Sequence, residues 1–583
     1  MNIANFLISI CEEIGISQAF SLVGGMAMHI NNAAGSGNLS MIYCNHEQAV
    51  VAAADGYTKA ADFAVPGLAI VTSGPGVTNS VTSISSAYYD SVPLFLLSGQ
   101  IKTSDINRFD VRSYGAQEVP HTELLRSITK LSFSYDPAII SNADLALNLA
   151  LAMTGRKGPV HIDIPLDIQT LEVKGLTDVK EVVSDYRKQL YQDANQTCVL
   201  PSELITQIAV AQRPLLVLGN AVKISSIPKE VTEVLIQHLG FPVMLTWASM
   251  DLLDYEHPMV FGCAGGLAGV HSNRILQSAD LIIFLGTRLD LLTTGFNPAS
   301  YGKNAKRFVF ECDEAELKKN SSVVGLMGIK ADVRAAVRAL IATKSPDHHS
   351  CAPWVEQCTS WRLENQEAED KEFFSPRLNT FHIANLISSS RTTRYVVPTA
   401  SGFAIEGFAR FYKTTKGSRF AWAGHVLGSM GLAIPSAVGA SARLKYCVAC
   451  VDGDGGFLLN MQELYTLRAN PDLPIAIFIL NNRGYASISQ SQNRAFQRNF
   501  GANAESGLAE IDFKIIASLG DLKYVECKTY ISLKEIITEL NSNSRILINV
   551  FLDDDNYRGP SITTKFDAEG RPYSTDIGEV SWR

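Results

Sequence analysis

Apolar residues along this chain fall into unbroken runs rather than strict alternation. "GLAIVTS", "PLFLLSG" and "PVHIDIP" occur within residues 1–182, separated by helical stretches such as "EQAVVAAADGYTKAA". "PLLVLGN", "FPVMLTW", "DLIIFLG" and "RFVFECD" follow within residues 190–343, then "YCVACVDGDG" and "PIAIFILNN" within residues 377–583. Apolar runs of roughly four to eight residues between helical patterns predict strands buried on both faces, as in parallel sheets covered by helices. The expected fold class is α/β, with three doubly wound parallel-sheet domains over those three ranges. Residues 344–376, rich in charge and turn formers ("ENQEAEDKEFFSP"), predict a linker before a fresh start. The opening "MNIANFLISICEEIG" reads as an amphipathic helix.

Composition narrows the class. A chain of 583 residues is long enough for about three or four domains, each with its own core. Apolar residues make up 46%, charged residues 19%, and the net charge is −8, which excludes the clustered basic footprint of a nucleic-acid binder. No apolar run has the length of a membrane span, and the N-terminus lacks a basic n-region, so a cytoplasmic chain with no membrane partner is expected. Ten cysteines are scattered without a framework. Cys447 and Cys450 stand three apart on a predicted strand. Their thiols therefore point to opposite faces, which predicts core packing and not a zinc or redox pair.

Two strand ends carry the chemistry. One apolar run ends in Gly453-Asp454-Gly455, another in Asn481-Asn482, with 25 residues (456–480) between them. In parallel α/β sheets, ligands bind beyond the C-terminal strand ends. Asp454 offers a carboxylate to a hard cation beside amides at a helix start, which suit phosphate. The asparagines serve either as oxygen ligands for the same cation or as caps for the segment that follows.

The spacing resembles the signature of thiamine-diphosphate enzymes, and the chain as a whole is similar to the acetolactate synthase group. "YCNHEQAVVAAADGYTKA", "VTSGPGVTN", "LLSGQ", "AQEVPHTELLRSITK" and "GPVHIDIPLDIQ" carry the likeness in the first domain, "GHVLGSMGLAIPSAVGA" in the third. The resemblance implies pyrimidine-binding, middle and diphosphate-binding domains. It implies Mg²⁺ held by Asp454, the Asn482 side chain and the Gly484 carbonyl, with Asn481 supporting the turn. Glu47 becomes the cofactor-activating carboxylate, and Gln100 a residue near the reacting carbon. His46 and His29 become weaker candidates for proton handling. Met430 would wedge under the cofactor, beside the Gly428 carbonyl. Gly24, Gly453, Gly455, Gly456, Thr399 and Ser401 complete the expected thiamine-diphosphate contacts. Active sites would lie between subunits of a homodimer or homotetramer.

Departures from the group point to a different acceptor. Phe403 and Ala404 stand where the group has a Gln-His pair near the diphosphate. The stretch from Gln100 to Gln117 is longer than expected and carries Lys102, Arg108 and Arg112. Ala116 replaces an expected phenylalanine and Ser491 an expected tryptophan. These features resemble the flavin-containing nucleotide-sugar carboligases of yersiniose biosynthesis. They imply transfer of a two-carbon unit from pyruvate to a bulky ketone, with Ala116, Ser491 and Arg112 in the acceptor pocket. A second 2-keto acid as acceptor, the acetolactate synthase reaction, is the alternative. An oxidative decarboxylase is a weaker one. In the middle domain "GCAGGLAGVHSN" (262–273), with Gly265, Arg288 and Glu311, is similar to an FAD-binding region.

Overall fold

The computed structural model describes the chain except residues 108, 110, 173–177, 347, 374–377, 553–558 and 583, and the side chains of 348–350 and 373. Three six-stranded sheets organise it, each wholly parallel. The first contains β1 (Gln18–Ser21), β2 (Ser40–Tyr43), β3 (Gly67–Val71), β4 (Leu94–Gln100), β5 (Leu131–Ser134) and β6 (Pro159–Pro165), ordered β2-β1-β3-β4-β6-β5. The middle sheet contains β7 (Pro214–Leu218), β8 (Val243–Leu245), β9 (Val260–Cys263), β10 (Leu281–Leu285), β11 (Lys306–Glu311) and β12 (Leu326–Lys330), ordered β12-β11-β10-β7-β8-β9. The third contains β13 (Tyr395–Pro398), β14 (Arg419–Phe420), β15 (Val448–Gly453), β16 (Ile475–Asn481), β17 (Lys523–Cys527) and β18 (Arg545–Phe551), ordered β14-β13-β15-β16-β18-β17. The first and third sheets thus share one strand order, although no internal repeat is visible in the sequence.

The apolar runs became these strands because helices cover both faces. Cys447 and Cys450 show the consequence, for they pack into different core clusters on opposite sides of the third sheet. The first and third domains share a single core through the helices Glu47–Ala60 and Ala433–Leu444. These helices approach closely enough to require glycine. A Cβ on Gly56 would sit 2.0 Å from Ser436 O, and one on Gly439 only 1.8 Å from Ala53 O.

The segment expected as a linker holds the helix His348–Phe373. Cys351, Trp354, Cys358, Asn365 and Glu369 are buried along it, a spacing of one helical stripe that the flanking charges obscure in the sequence. Trp354 donates its indole N–H to Pro214 O, which fastens the helix to the start of β7. The chain's last turn also leaves the third domain. Ile577 is buried in a middle-domain cluster, and Gln277 bonds to Asp576.

Candidate active site

In a doubly wound sheet the ligand crevice opens where the strand order reverses. In the third sheet that point lies between β13 and β15, and it brings Thr399 and Ser401 beside Gly453 and Asp454. The Thr399 and Ser401 hydroxyls lie 3.1 Å apart. Ser401 precedes the helix Gly402–Phe411 without capping it. Phe403 and Ala404, in the first turn of that helix, are buried, so the backbone and the two hydroxyls are what this strand end offers to phosphate.

Asp454 joins the two strand ends directly. Its Oδ1 accepts from Gly455 N–H and its Oδ2 from Gly484 N–H, each at 2.8 Å. Burial pushes the carboxyl pKa up to about 6, while N–H groups from residues 482–484 and 455 pull it back. A bound cation would favour the ionised form further. Asn481 braces the turn. Its amide donates to Asn549 Oδ1 at 2.9 Å and accepts from Arg483 N–H. Asn482 is different, since its Oδ1 is enclosed and has no hydrogen-bond partner. An orphaned amide oxygen in a turn whose backbone bonds to a carboxylate suits a hard divalent cation. Among the described residues no trio of His, Cys, Asp or Glu side chains forms a metal cluster. A mixed carboxylate, amide and carbonyl set is the arrangement that fits.

The neighbouring glycines have different physical reasons. A Cβ on Gly455 would strike the Tyr485 ring at 2.4 Å, and one on Gly456 would lie 2.8 Å from Asp452 Oδ1. Gly484, at φ +135°, packs against Ala502 O. Gly453 has an ordinary φ of −76° and open space around its Cα. Asp452, which the sequence reading passed over, is fully buried. Burial pushes its pKa up to about 8, and its Oδ2 has no partner. Its place just before the glycine-flanked Asp454 was the available signal.

The loop Gly428–Met430 reaches the same place, since a Cβ on Gly456 would lie 3.7 Å from Met430 Cβ. Gly428 takes a left-handed φ of +64°. A first-domain carboxylate anchors the approach to this loop. Asp90 accepts from His425 N–H, Val426 N–H and His425 Nδ1 at 2.8–3.1 Å, and pairs with Lys59.

In the first domain Glu47 opens its helix and is 8% exposed. Asn79, also missed in the sequence, donates to Glu47 Oε2 at 3.0 Å. His46 acts as the helix cap, its Nδ1 accepting from Gln48 N–H. His29 is half-buried on the helix Met28–Ser36. Gly24 lies against Thr72, 2.5 Å from where a Cβ would fall, so packing alone demands glycine there. Gln100 is buried, with Nε2 donating to Val119 O and Asp163 Oδ2. Glu47 and Asp454 share no described partner within the chain.

A cleft opens at the middle-sheet crevice between β7 and β10, lined by Asn220, Gly286, Arg288, Glu311 and, from the other domains, Arg156 and His425. Glu311 accepts from Cys312 and Asp313 N–H, and burial raises its pKa. Arg288 faces Asp290 at 3.6 Å. Gly265 is not part of the lining. Its N–H is held by Asn273, and a Cβ would meet Thr293 O at 2.2 Å, so it permits the loop to pack behind the cleft.

The expected acceptor residues are not assembled within the chain. Lys102, Arg112, Ala116 and Ser491 are all exposed, and Ser491 Oγ bonds to Ser487 O. Arg108 lies outside the described residues. Glu118 folds this loop by accepting the N–H groups of Asn107, Tyr114 and Gly115.

Comparison with known proteins gives three consecutive family matches. Residues 1–125 match the N-terminal TPP binding domain of thiamine pyrophosphate enzymes, 202–340 their central domain, and 402–550 their C-terminal TPP binding domain. A probable acetolactate synthase large subunit of Methanococcus aeolicus is 30% identical over 85% of this chain and 82% of its own length. A similar subunit of Methanocaldococcus jannaschii is 29% identical over 94% and 92%. The acetolactate synthase large subunit of Lactococcus lactis is 27% identical over 94% and 92%.

Proposed function

We propose that this chain, which belongs to the thiamine pyrophosphate enzymes of the acetolactate synthase group, is a Mg²⁺-dependent carboligase. It decarboxylates pyruvate and transfers the two-carbon unit to a ketone. The observation that carries the cofactor assignment is the orphaned Asn482 Oδ1 in the turn whose Gly484 N–H bonds to Asp454, with open space at Gly453. Asp454, Asn482 and the Gly484 carbonyl would hold the metal, with Thr399, Ser401 and the helix-start amides facing the diphosphate. When bound, thiamine diphosphate supplies the electron sink for decarboxylation and the carbon that attacks the acceptor. Glu47 would hold the proton exchanged with the pyrimidine ring, with one of its oxygens fixed by the Asn79 amide. Met430, whose loop reaches the Asp454 strand end, would contact the cofactor there.

An active site completed by a second copy, in a homodimer or homotetramer, is part of the same reading, as the acetolactate synthase relatives suggest. FAD in the middle cleft is part of the same reading and has a structural role. The support is a strand-end crevice with Arg288 and Glu311 on its wall.

The acceptor is a bulky ketone, a nucleotide-linked 4-keto-deoxysugar. Ala116 and Ser491 leave volume that a small keto acid does not need, and Lys102 and Arg112 suit a diphosphate. The names of the relatives favour a second reading, in which another pyruvate is the acceptor and the product is acetolactate. Incubating the purified enzyme with pyruvate and a panel of 2-keto acids and nucleotide ketosugars, then weighing the products, separates the two. Efficient acetolactate formation with every ketosugar refused would reject the sugar acceptor.

A further inference from the structure

We propose that His121 is a positioning residue for this two-carbon transfer, holding the Gly74 turn and Gln100 as a neutral imidazole protonated at Nδ1. The inference rests on the carboligase reading for its consequence, and on a separate set of atoms for its premise. His121 is 1% exposed and stands at the base of the loop that follows β4. Gly74 N–H donates to His121 Nε2 at 3.0 Å. A backbone N–H acts only as a donor, so Nε2 carries no proton and Nδ1 does. Nδ1 then donates to Asp163 Oδ1 at 2.9 Å.

That single backbone donor orders the neighbouring groups. The Gln100 amide nitrogen faces Val119 O at 3.0 Å and Asp163 Oδ2 at 3.2 Å, while its oxygen accepts from Ile101 N–H at 2.9 Å. The reversed amide would set its oxygen against two acceptors, so this orientation is fixed. The 3.0 Å approach of Gln100 Nε2 to His121 Nδ1 is then a contact between two donors serving one carboxylate. Ser98 Oγ gives its proton to Asp163 Oδ1 and so accepts from His161 Nε2. His161 Nδ1 in turn accepts from Ser132 Oγ. Burial holds the His161 pKa down at about 4, which agrees with a neutral ring at this place in the chain of bonds. Asp163 is the terminal acceptor of three donors, from His121, Ser98 and Gln100.

Two consequences reach the reaction. Both Gln100 N–H groups are spent inside the protein, so what Gln100 still offers is a lone pair on Oε1, an acceptor for a hydroxyl and not a donor to an oxyanion. His121 also fixes Gly74, whose backbone sits at φ 62° and ψ −113° immediately before the helix Pro75–Tyr89. That helix carries Asn79 to Glu47. The imidazole thereby sets both the polarity of one residue near the reacting carbon and the position of the amide on the activating carboxylate. Closed off from solvent and bonded at both nitrogens, it does not itself exchange protons with substrate.

The test uses the holoenzyme, pyruvate and an acceptor it uses, with histidine-selective ¹⁵N labelling. Long-range ¹H–¹⁵N spectra of the wild type should show His121 as the Nδ1–H tautomer. His121→Phe removes both bonds and should lower kcat for carboligation by about tenfold to a hundredfold. KM for pyruvate should change by less than about twofold, and acetaldehyde release should rise relative to ligated product. His121→Gln carries both an acceptor and a donor and should recover most of that loss. An Nε2–H or imidazolium signature overturns the proposal. So does a Phe variant with unchanged kcat and product ratio, or a Gln variant as impaired as Phe. If the Phe variant does not fold, the Gln variant and the wild-type spectrum decide. A wild type that ligates no acceptor rejects the carboligase reading, whereas the spectrum still decides the state of His121.

Discussion

Replacing Glu463 with glutamine should stabilise this protein at neutral and alkaline pH and leave it nearly unchanged in acid. Glu463 is fully buried where the third domain meets the first. It accepts Asn45 N–H at 3.0 Å, two residues before Glu47, and the Thr466 hydroxyl at 2.7 Å. These bonds do not offset its burial, which pushes the carboxyl pKa from 4.5 up to about 7. A pKa raised in the folded state favours folding when the group is protonated in both states, and that favour is lost as pH climbs from 4.5 through about 7. The loss amounts to about 3 kcal/mol once pH exceeds 7. Glutamine keeps an acceptor for Asn45 and a polar partner for Thr466 but never ionises.

The measurement is the difference in apparent melting temperature between Glu463→Gln and wild type at several pH values. Other groups titrate alike in both proteins and cancel. The difference should be small near pH 4.5, grow to pH 7 and level off above it, reaching roughly 6–12 °C for domains of this size. A difference that stays flat with pH, or that shrinks as pH rises, would refute the reasoning. It would mean that Glu463 ionises in the fold without penalty.

Other substitutions address the site. Asp454→Ala should weaken Mg²⁺ and thiamine diphosphate together in calorimetry if Asp454 holds the ion that would bridge protein and diphosphate; unchanged cofactor affinity would reject the metal assignment. Glu47→Gln should bind cofactor normally but slow hydrogen–deuterium exchange at the cofactor's C2 by about a hundredfold or more. Wild-type exchange there would remove Glu47 from activation. Gly439→Ala gains about 0.5–1 kcal/mol of helix propensity, yet its Cβ would meet rigid backbone of the facing helix, so a net loss of about 1–3 kcal/mol is expected in thermal melts. Ser491→Trp should cut transfer to a bulky acceptor by about tenfold or more while pyruvate decarboxylation changes little, if the residue shapes the acceptor space.

Much of the architecture was legible because a strand buried on both faces has to be apolar throughout, as in "PIAIFIL" and "LIIFL". Strand order was not, since pairing is decided by crossovers far apart in sequence. The shared order of the first and third sheets has no counterpart in residue identity. The helix His348–Phe373 hid for a different reason. Its buried stripe of Cys351, Trp354, Cys358, Asn365 and Glu369 includes polar residues that look solvated until Trp582 and Asn365 are seen to bond. In the site, Asp454 and Asn482 stood out by chemistry and spacing. Asn79, His121 and Asp163 did not, because each acts through a partner 32 to 47 residues away in the chain.

The glycines around Asp454 show where reading residue types stops and geometry begins. In sequence, Gly453, Gly455 and Gly456 carry one meaning, close approach of a ligand. In the fold, the Tyr485 ring accounts for Gly455 and the Asp452 carboxylate for Gly456. Neither needs a ligand to explain it. Gly453 has a backbone conformation open to any residue and nothing near its missing side chain. A glycine there weakens the strand end without relieving any clash inside the protein. A contact from outside the chain would fill that space, and the Asn482 Oδ1 just past the end of β16 lacks a partner as well. Two deficits of different kinds, one steric and one polar, converge on a ligand that brings both bulk and a cation. A metal-bound diphosphate supplies both at once, whereas a bare metal ion would leave the space at Gly453 unexplained.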